Sequence, residues 1–127
     1  ILLDDAGKVT EGPGACLLLV RDHTVIAPPV TAGILESITR DTVAKILKDE
    51  MKLEFVERVV DRTELYAAEE VFYVGTWWEI RPVASVDHIT VGDGKIGPVT
   101  RTSADIYRRI VMGEMAKYKD WLTPVWK

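Results

Sequence analysis

The residues best placed to do chemistry are Leu35-Glu36-Ser37-Ile38-Thr39-Arg40, directly ahead of the clearest helical pattern in the chain. Ser37 and Thr39 bring hydroxyls to the start of that helix, beside amides without intrahelical acceptors and at the positive end of the helix dipole. That combination binds anions. The same residues also serve as plain N-caps, and the local sequence leaves both roles open. A further hydroxyl stands in Gly75-Thr76, where an apolar run ends; such pairs close many strands, so this one says little alone. Glu69 and Glu70 are adjacent, and neighbours on a strand face opposite sides, so they are not expected to act as a pair. His23 and His88 fall in turn-like segments without a partner at metal-ligand spacing, and they read as solvated surface residues. Cys16 lies inside the apolar run 15–20 and reads as a buried, inert thiol.

The elements that would carry these residues are short strands and two helices. Residues 1–4 and Val9-Thr10-Glu11 flank the hairpin chemistry of Asp5-Ala6-Gly7-Lys8, and Gly12-Pro13-Gly14 then interrupts the extended run. Residues 15–20 are apolar throughout, as in a strand buried on both faces. Arg21-Asp22-His23-Thr24 is a turn, residues 24–27 a return strand, and Pro28-Pro29 its end. Val43, Ile46, Leu47 and Met51 mark one apolar helix face, with Ser37 or Thr39 as N-cap. Residues 53–60 alternate as a half-buried strand, with Leu53, Phe55 and Val59 inward. Thr63 is expected to cap a short helical turn over 64–68. Residues 71–74 form a strand, and 77–86 are expected to continue extended past Pro82. Gly92-Asp93-Gly94 is a turn, and Pro98 opens a second helix with Val99, Ile106, Tyr107 and Ile110 inward. The tail tryptophans, Trp121 and Trp126, are expected to close the core. With no repeat or linker, the chain reads as one mixed α/β unit.

Composition narrows the classes. At 127 residues with 47% apolar and 28% charged, the chain can bury a core without a disulfide or metal staple. Sixteen basic against twenty acidic residues give a net charge of −4 without a basic cluster, which argues against a nucleic-acid partner. No run approaches the roughly 20 apolar residues of a membrane span. A single cysteine excludes an internal disulfide framework and favours a reducing, cytoplasmic setting. The start, Ile1-Leu2-Leu3-Asp4, has no basic flank or initiator Met and reads as an internal stretch of something longer rather than a signal peptide.

Taken in order, several segments resemble the fold-type IV, pyridoxal-phosphate-dependent aminotransferases, the branched-chain aminotransferase family. They are Leu3-Asp4, Thr10-Glu11-Gly12-Pro13-Gly14, Pro28-Pro29 and Ile34-Leu35-Glu36-Ser37-Ile38-Thr39-Arg40-Asp41. Leu65-Tyr66-Ala67-Ala68-Glu69-Glu70-Val71-Phe72, Gly75-Thr76, Glu79-Ile80-Arg81-Pro82-Val83 and Gly97-Pro98-Val99-Thr100 follow collinearly. The resemblance implies the C-terminal, cofactor-binding domain of that fold, a mixed sheet or pseudobarrel with flanking helices. It implies pyridoxal 5'-phosphate as cofactor and an L-amino acid, branched-chain or otherwise hydrophobic, with a 2-oxo acid as substrates. Glu11 would face the pyridine nitrogen and keep it protonated. Ile38 and Thr39 would hold the phosphate through their amides and the Thr39 hydroxyl, with Thr76 adding another hydroxyl. Leu35 would pack on the ring, and amides following the Gly-Thr pair, Trp77's among them, would help bind the substrate carboxylate, with Thr76 also at the substrate.

Departures from the family pattern sharpen these expectations. Ser37 stands where relatives usually carry Gly, Cys16 where they carry Asn, and Trp77-Trp78 where they carry two small residues. On an extended strand one indole would face the pocket and the other the core. The pocket would be reshaped against bulky aliphatic substrates and toward aromatic stacking. Glu79 favours the L-branched-chain type over the D-amino-acid or (R)-amine types. The family's Schiff-base lysine lies upstream of Leu3-Asp4, so this chain carries no catalytic residue and is expected to be inactive alone, with an N-terminal segment of the same protein as partner. Homo-oligomers are expected, as in relatives. A non-catalytic phosphate-ligand binder and a lyase acting on aminodeoxychorismate are the alternatives.

Overall fold

The computed structural model describes residues 1–125. β1 (Glu11–Gly12) turns through Pro13-Gly14 into β2 (Ala15–Arg21), so the segment that reads as a break is a two-residue hairpin turn, with Glu11 opposite Cys16. Asp22 and His23 both take positive φ (50° and 60°), the geometry that matches strand twist in a tight hairpin, and lead into β3 (Thr24–Ala27). α1 (Ile38–Asp49) then crosses back to β4 (Glu54–Glu57), which pairs parallel with β3. After a short α2 (Glu64–Ala67), β5 (Glu70–Gly75) pairs antiparallel with β2, and β6 (Glu79–Pro82) folds back on β5. β7 (Ser85–Val86) and β8 (Ile89–Thr90) form a separate small hairpin ahead of α3 (Pro98–Val111). The main sheet is mixed and open, in the order β4-β3-β2-β5-β6 with β1 on the end of β2.

β2 is buried along Ala15 to Val20 because both faces of the sheet are covered. Cys16, Leu18 and Val20 pack with Val43 and Leu47 of α1 and with Val99, Ala104 and Tyr107 of α3. Leu17 and Leu19 face a second cluster built from Val9, Val60, Leu65 and Val71. Alternation across a pleat thus divides one apolar run between two cores.

Several expectations need correction. Val59 is exposed and Val60 is buried in its place, since the strand ends at Glu57 and the chain turns before the next inward position. Thr63 makes no side-chain cap; the carboxylate of Glu64 takes the Asp61 amide instead. Residues 77–86 are not one strand, because Thr76, Trp77 and Trp78 form the turn between β5 and β6. Met51 lies past the end of α1. In the tail it is Tyr118 that closes a small cluster with Ile46 and Ile110, whereas Trp121 stays exposed. Trp126 lies outside the described residues.

Candidate functional site

A cavity of about 250 Å³ opens where the adjacent ends of β2 and β5 meet the segment leading into α1. Glu11, Cys16, Leu35, Ser37, Thr76 and Trp77 contribute to its wall. The tight β1–β2 turn delivers Glu11 beside Cys16, and pairing of Cys16 with Val74 places the Gly75-Thr76 end of β5 next to them. A larger depression of about 660 Å³ between α1 and β4 is lined by Lys45, Lys48 and Lys52 and contains none of the residues selected from the sequence.

The Glu11 carboxylate is oriented at one oxygen. The Leu35 amide donates to Oε2 at 3.2 Å, and the Cys16 thiol lies 4.0 Å from the same oxygen and 3.6 Å from the Leu35 carbonyl. Burial first, and the Glu11 charge second, hold the Cys16 thiol above its usual range. Cys16 is therefore buried as expected, yet it is a wall of the site rather than anonymous core. The signal was available in Gly12-Pro13-Gly14, since a two-residue turn there pairs Glu11 with Cys16.

At the start of α1, Ser37 is the N-cap and Thr39 is not. The Ser37 hydroxyl accepts from the Arg40 amide at 3.2 Å. That leaves the amides of Ile38 and Thr39 without intrahelical acceptors. Ile38 is 86% exposed and Thr39 is buried, and neither side chain lines the 250 Å³ cavity. Ile38 borders an adjoining surface depression that also includes Ser37. The structure thus gathers Glu11, Leu35, Ser37, Thr76 and Trp77 around one space, leaves Ile38 in the adjoining depression, and buries Thr39 away from both.

Two supporting residues escaped the sequence reading. Arg40 is buried on the first turn of α1, where Nη2 donates to the Pro28 carbonyl at 3.2 Å and pairs with Glu57 at 3.0 Å. It ties the helix start to the sheet. Glu70 is buried at the start of β5 and accepts from the Val99 amide and from the amide and hydroxyl of Thr100, at 2.9, 2.8 and 2.6 Å. Gly97 is required beside it, because a Cβ there would run into the Glu70 carboxylate. Glu69, by contrast, is exposed, so the two acids do face opposite ways. His23 and His88 sit exposed in their turns.

Among the described residues, the arrangement offers a carboxylate with one oxygen uncommitted, and the Thr76 hydroxyl and the N-terminal end of α1 near the same space. It suits a flat ligand that presents an N–H to Glu11 and an anionic group to the start of α1. Residues 1–86 match the sequence signature described as amino-transferase class IV. The chain belongs to that family. It is 42% identical to a probable branched-chain-amino-acid aminotransferase of Aquifex aeolicus over 126 residues, 99% of this chain and 40% of that protein. Against the branched-chain-amino-acid aminotransferase of Escherichia coli K12 it is 42% identical, over 98% of this chain and 40% of that protein. The fold superposes on the branched-chain amino acid aminotransferase of Thermobaculum terrenum in its PLP form with a TM-score of 0.95 at 50% identity, covering 98% of this chain and 41% of that one. The branched-chain aminotransferase of Thermoproteus uzoniensis with norvaline gives 0.94 at 44% identity, over 99% of this chain and 41% of that one. The chain thus spans about 40% of the length of the curated relatives it matches.

Proposed function

We propose that this chain is the C-terminal, cofactor-binding domain of a pyridoxal-phosphate-dependent transaminase that moves an amino group between a hydrophobic L-amino acid and a 2-oxo acid. The observation that carries the reading is Glu11. Its carboxylate is fixed by the Leu35 amide inside a cavity that also touches an open helix N-terminus. When bound, pyridoxal phosphate supplies the electron sink that makes the α-carbon of an amino acid acidic. Glu11 then holds a proton on the ring nitrogen, which strengthens the sink, and Leu35 packs on the ring. Ile38 and Thr39 hold the phosphate through amides and a hydroxyl, and Thr76 adds its own hydroxyl. Ser37 borders the same site, its oxygen already taken by the Arg40 amide. The Trp77 amide helps bind the substrate carboxylate.

No lysine is among the described residues lining the cavity, and the Schiff-base lysine is assigned to another segment of a longer protein. This chain alone would be inactive, and the complete protein would work as a homo-oligomer in the cytoplasm. The same observation favours a second reading, a non-catalytic binder of the same ligand; Glu11 speaks against it, because a binder needs no ring-nitrogen partner. Borohydride reduction of the complete protein followed by intact mass analysis separates the two. One covalently fixed pyridoxyl phosphate per chain is expected, and Glu11→Gln should then lower transamination at least about a hundredfold while the mass label persists. An unlabelled protein overturns the transaminase reading; a labelled protein whose activity is untouched by Glu11→Gln overturns the role of Glu11.

A further inference from the structure

We propose that Trp77 is the side-chain selector of this site, its free indole forming a flat wall that favours aromatic amino acids and 2-oxo acids over branched aliphatic ones. The inference rests on the transaminase reading above.

The β5–β6 turn treats its two tryptophans differently. Pairing of Gly75 with Glu79 closes it around only Thr76, Trp77 and Trp78, with Glu79 held at a φ of +52°. Trp78 leans back on the sheet, its ring 5.8 Å from that of Tyr73 at a 42° angle. Tyr73 is in turn seated against Gly12, where a Cβ would run into the phenol ring. One indole therefore anchors the turn to the β1–β2 hairpin. Trp77 is left 90% exposed, yet it still lines the cavity beside Thr76 and Glu11. Among the described residues it makes no aromatic or cation–π pair.

A large apolar ring held unpacked at the mouth of a site offers its face to whatever enters. If the Trp77 amide binds the substrate carboxylate, the substrate side chain starts within one residue of the indole. Offset or edge-on stacking then rewards a planar side chain, whereas a branched aliphatic one gains contact area alone.

The test uses the complete holoenzyme and compares phenylalanine with isoleucine as donors, by kcat/KM. Binding of the unreactive acids 3-phenylpropionate and 4-methylpentanoate is followed separately by tryptophan fluorescence. We expect the phenylalanine-to-isoleucine ratio to fall about threefold to tenfold in Trp77→Ala and Trp77→Leu and to be restored largely in Trp77→Phe. Quenching by 3-phenylpropionate should disappear in Trp77→Ala. A ratio unchanged in all three variants overturns the proposal, as does a Trp77→Ala protein that loses only its assembly state, since the indole would then be a subunit contact. Alanine, with no side chain to stack, is the control: failure to convert any donor, alanine included, overturns the transaminase reading itself.

Discussion

The two long helices begin in opposite ways. Both α1 and α3 pack on the same face of the sheet, and each presents unpaired first-turn amides at the positive end of its dipole. At α3 the protein supplies its own anion. Glu70 reaches from the neighbouring strand, is buried, and satisfies two amides and a hydroxyl. At α1, among the described residues, no carboxylate bonds to the first-turn amides, and the Ser37 hydroxyl takes one of them. The difference teaches where the molecule spends its helix ends: one is used up as a fastening, and the other carries no such fastening, as the proposed phosphate site requires.

The comparison can be broken hardest at α3. Glu70→Gln replaces an acceptor of three hydrogen bonds by a group that must turn an NH₂ toward some of the same donors. A loss of about 3 kcal/mol is expected in denaturant unfolding. A loss under about 1 kcal/mol would mean that the α3 end is not held by this carboxylate. A sharper contrast comes from giving α1 an anion of its own. Ser37→Asp keeps an equivalent cap, so unloaded stability should stay within about 0.5 kcal/mol. Affinity of the complete protein for pyridoxal phosphate should fall about tenfold by equilibrium dialysis, with affinity for unphosphorylated pyridoxal little changed. Equal losses for both ligands would remove the phosphate from the α1 end.

The smallest effect tests a carboxylate that caps no helix dipole of note. The Arg58 guanidinium, bonded to both oxygens of Glu64 at 2.9 and 2.6 Å, holds that carboxyl below its usual range, helped by the Asp61 amide. A carboxyl depressed in the folded state adds stability above its unfolded pKa, near pH 4, and loses it as pH falls through the lower folded value. Glu64→Gln should therefore cost about 1 kcal/mol at neutral pH and progressively less as pH falls below the unfolded value, in parallel acid and neutral unfolding curves.

The sheet and its two cores were legible where the chain obeys simple periods. Residues 15–20 had to be buried on both faces, and Val43, Ile46 and Leu47 had to face inward. What escaped depended on contacts distant in sequence. Nothing near Glu70 announces that Gly97 and Thr100 lie against it, and nothing near Arg40 announces Pro28 and Glu57. The error at Trp77-Trp78 has a local cause: two bulky aromatics favour extended structure, yet register between β5 and β6 left three residues to make a turn. The candidate site residues rest on the resemblance and on the helix-start argument together, and only geometry separates those in the cavity wall from Ile38 and Thr39, which do not line it.

The closure of the β5–β6 turn by backbone pairing on both sides has an evolutionary consequence. Residues 76–78 hang between two strands whose amide bonds do not depend on which side chains the turn carries. The side chain at 77 can change without disturbing Glu11 or the start of α1, because the backbone pairing and the Trp78–Tyr73 contact already hold the turn. A wall built this way can be repainted at a single position while the frame around it stays fixed.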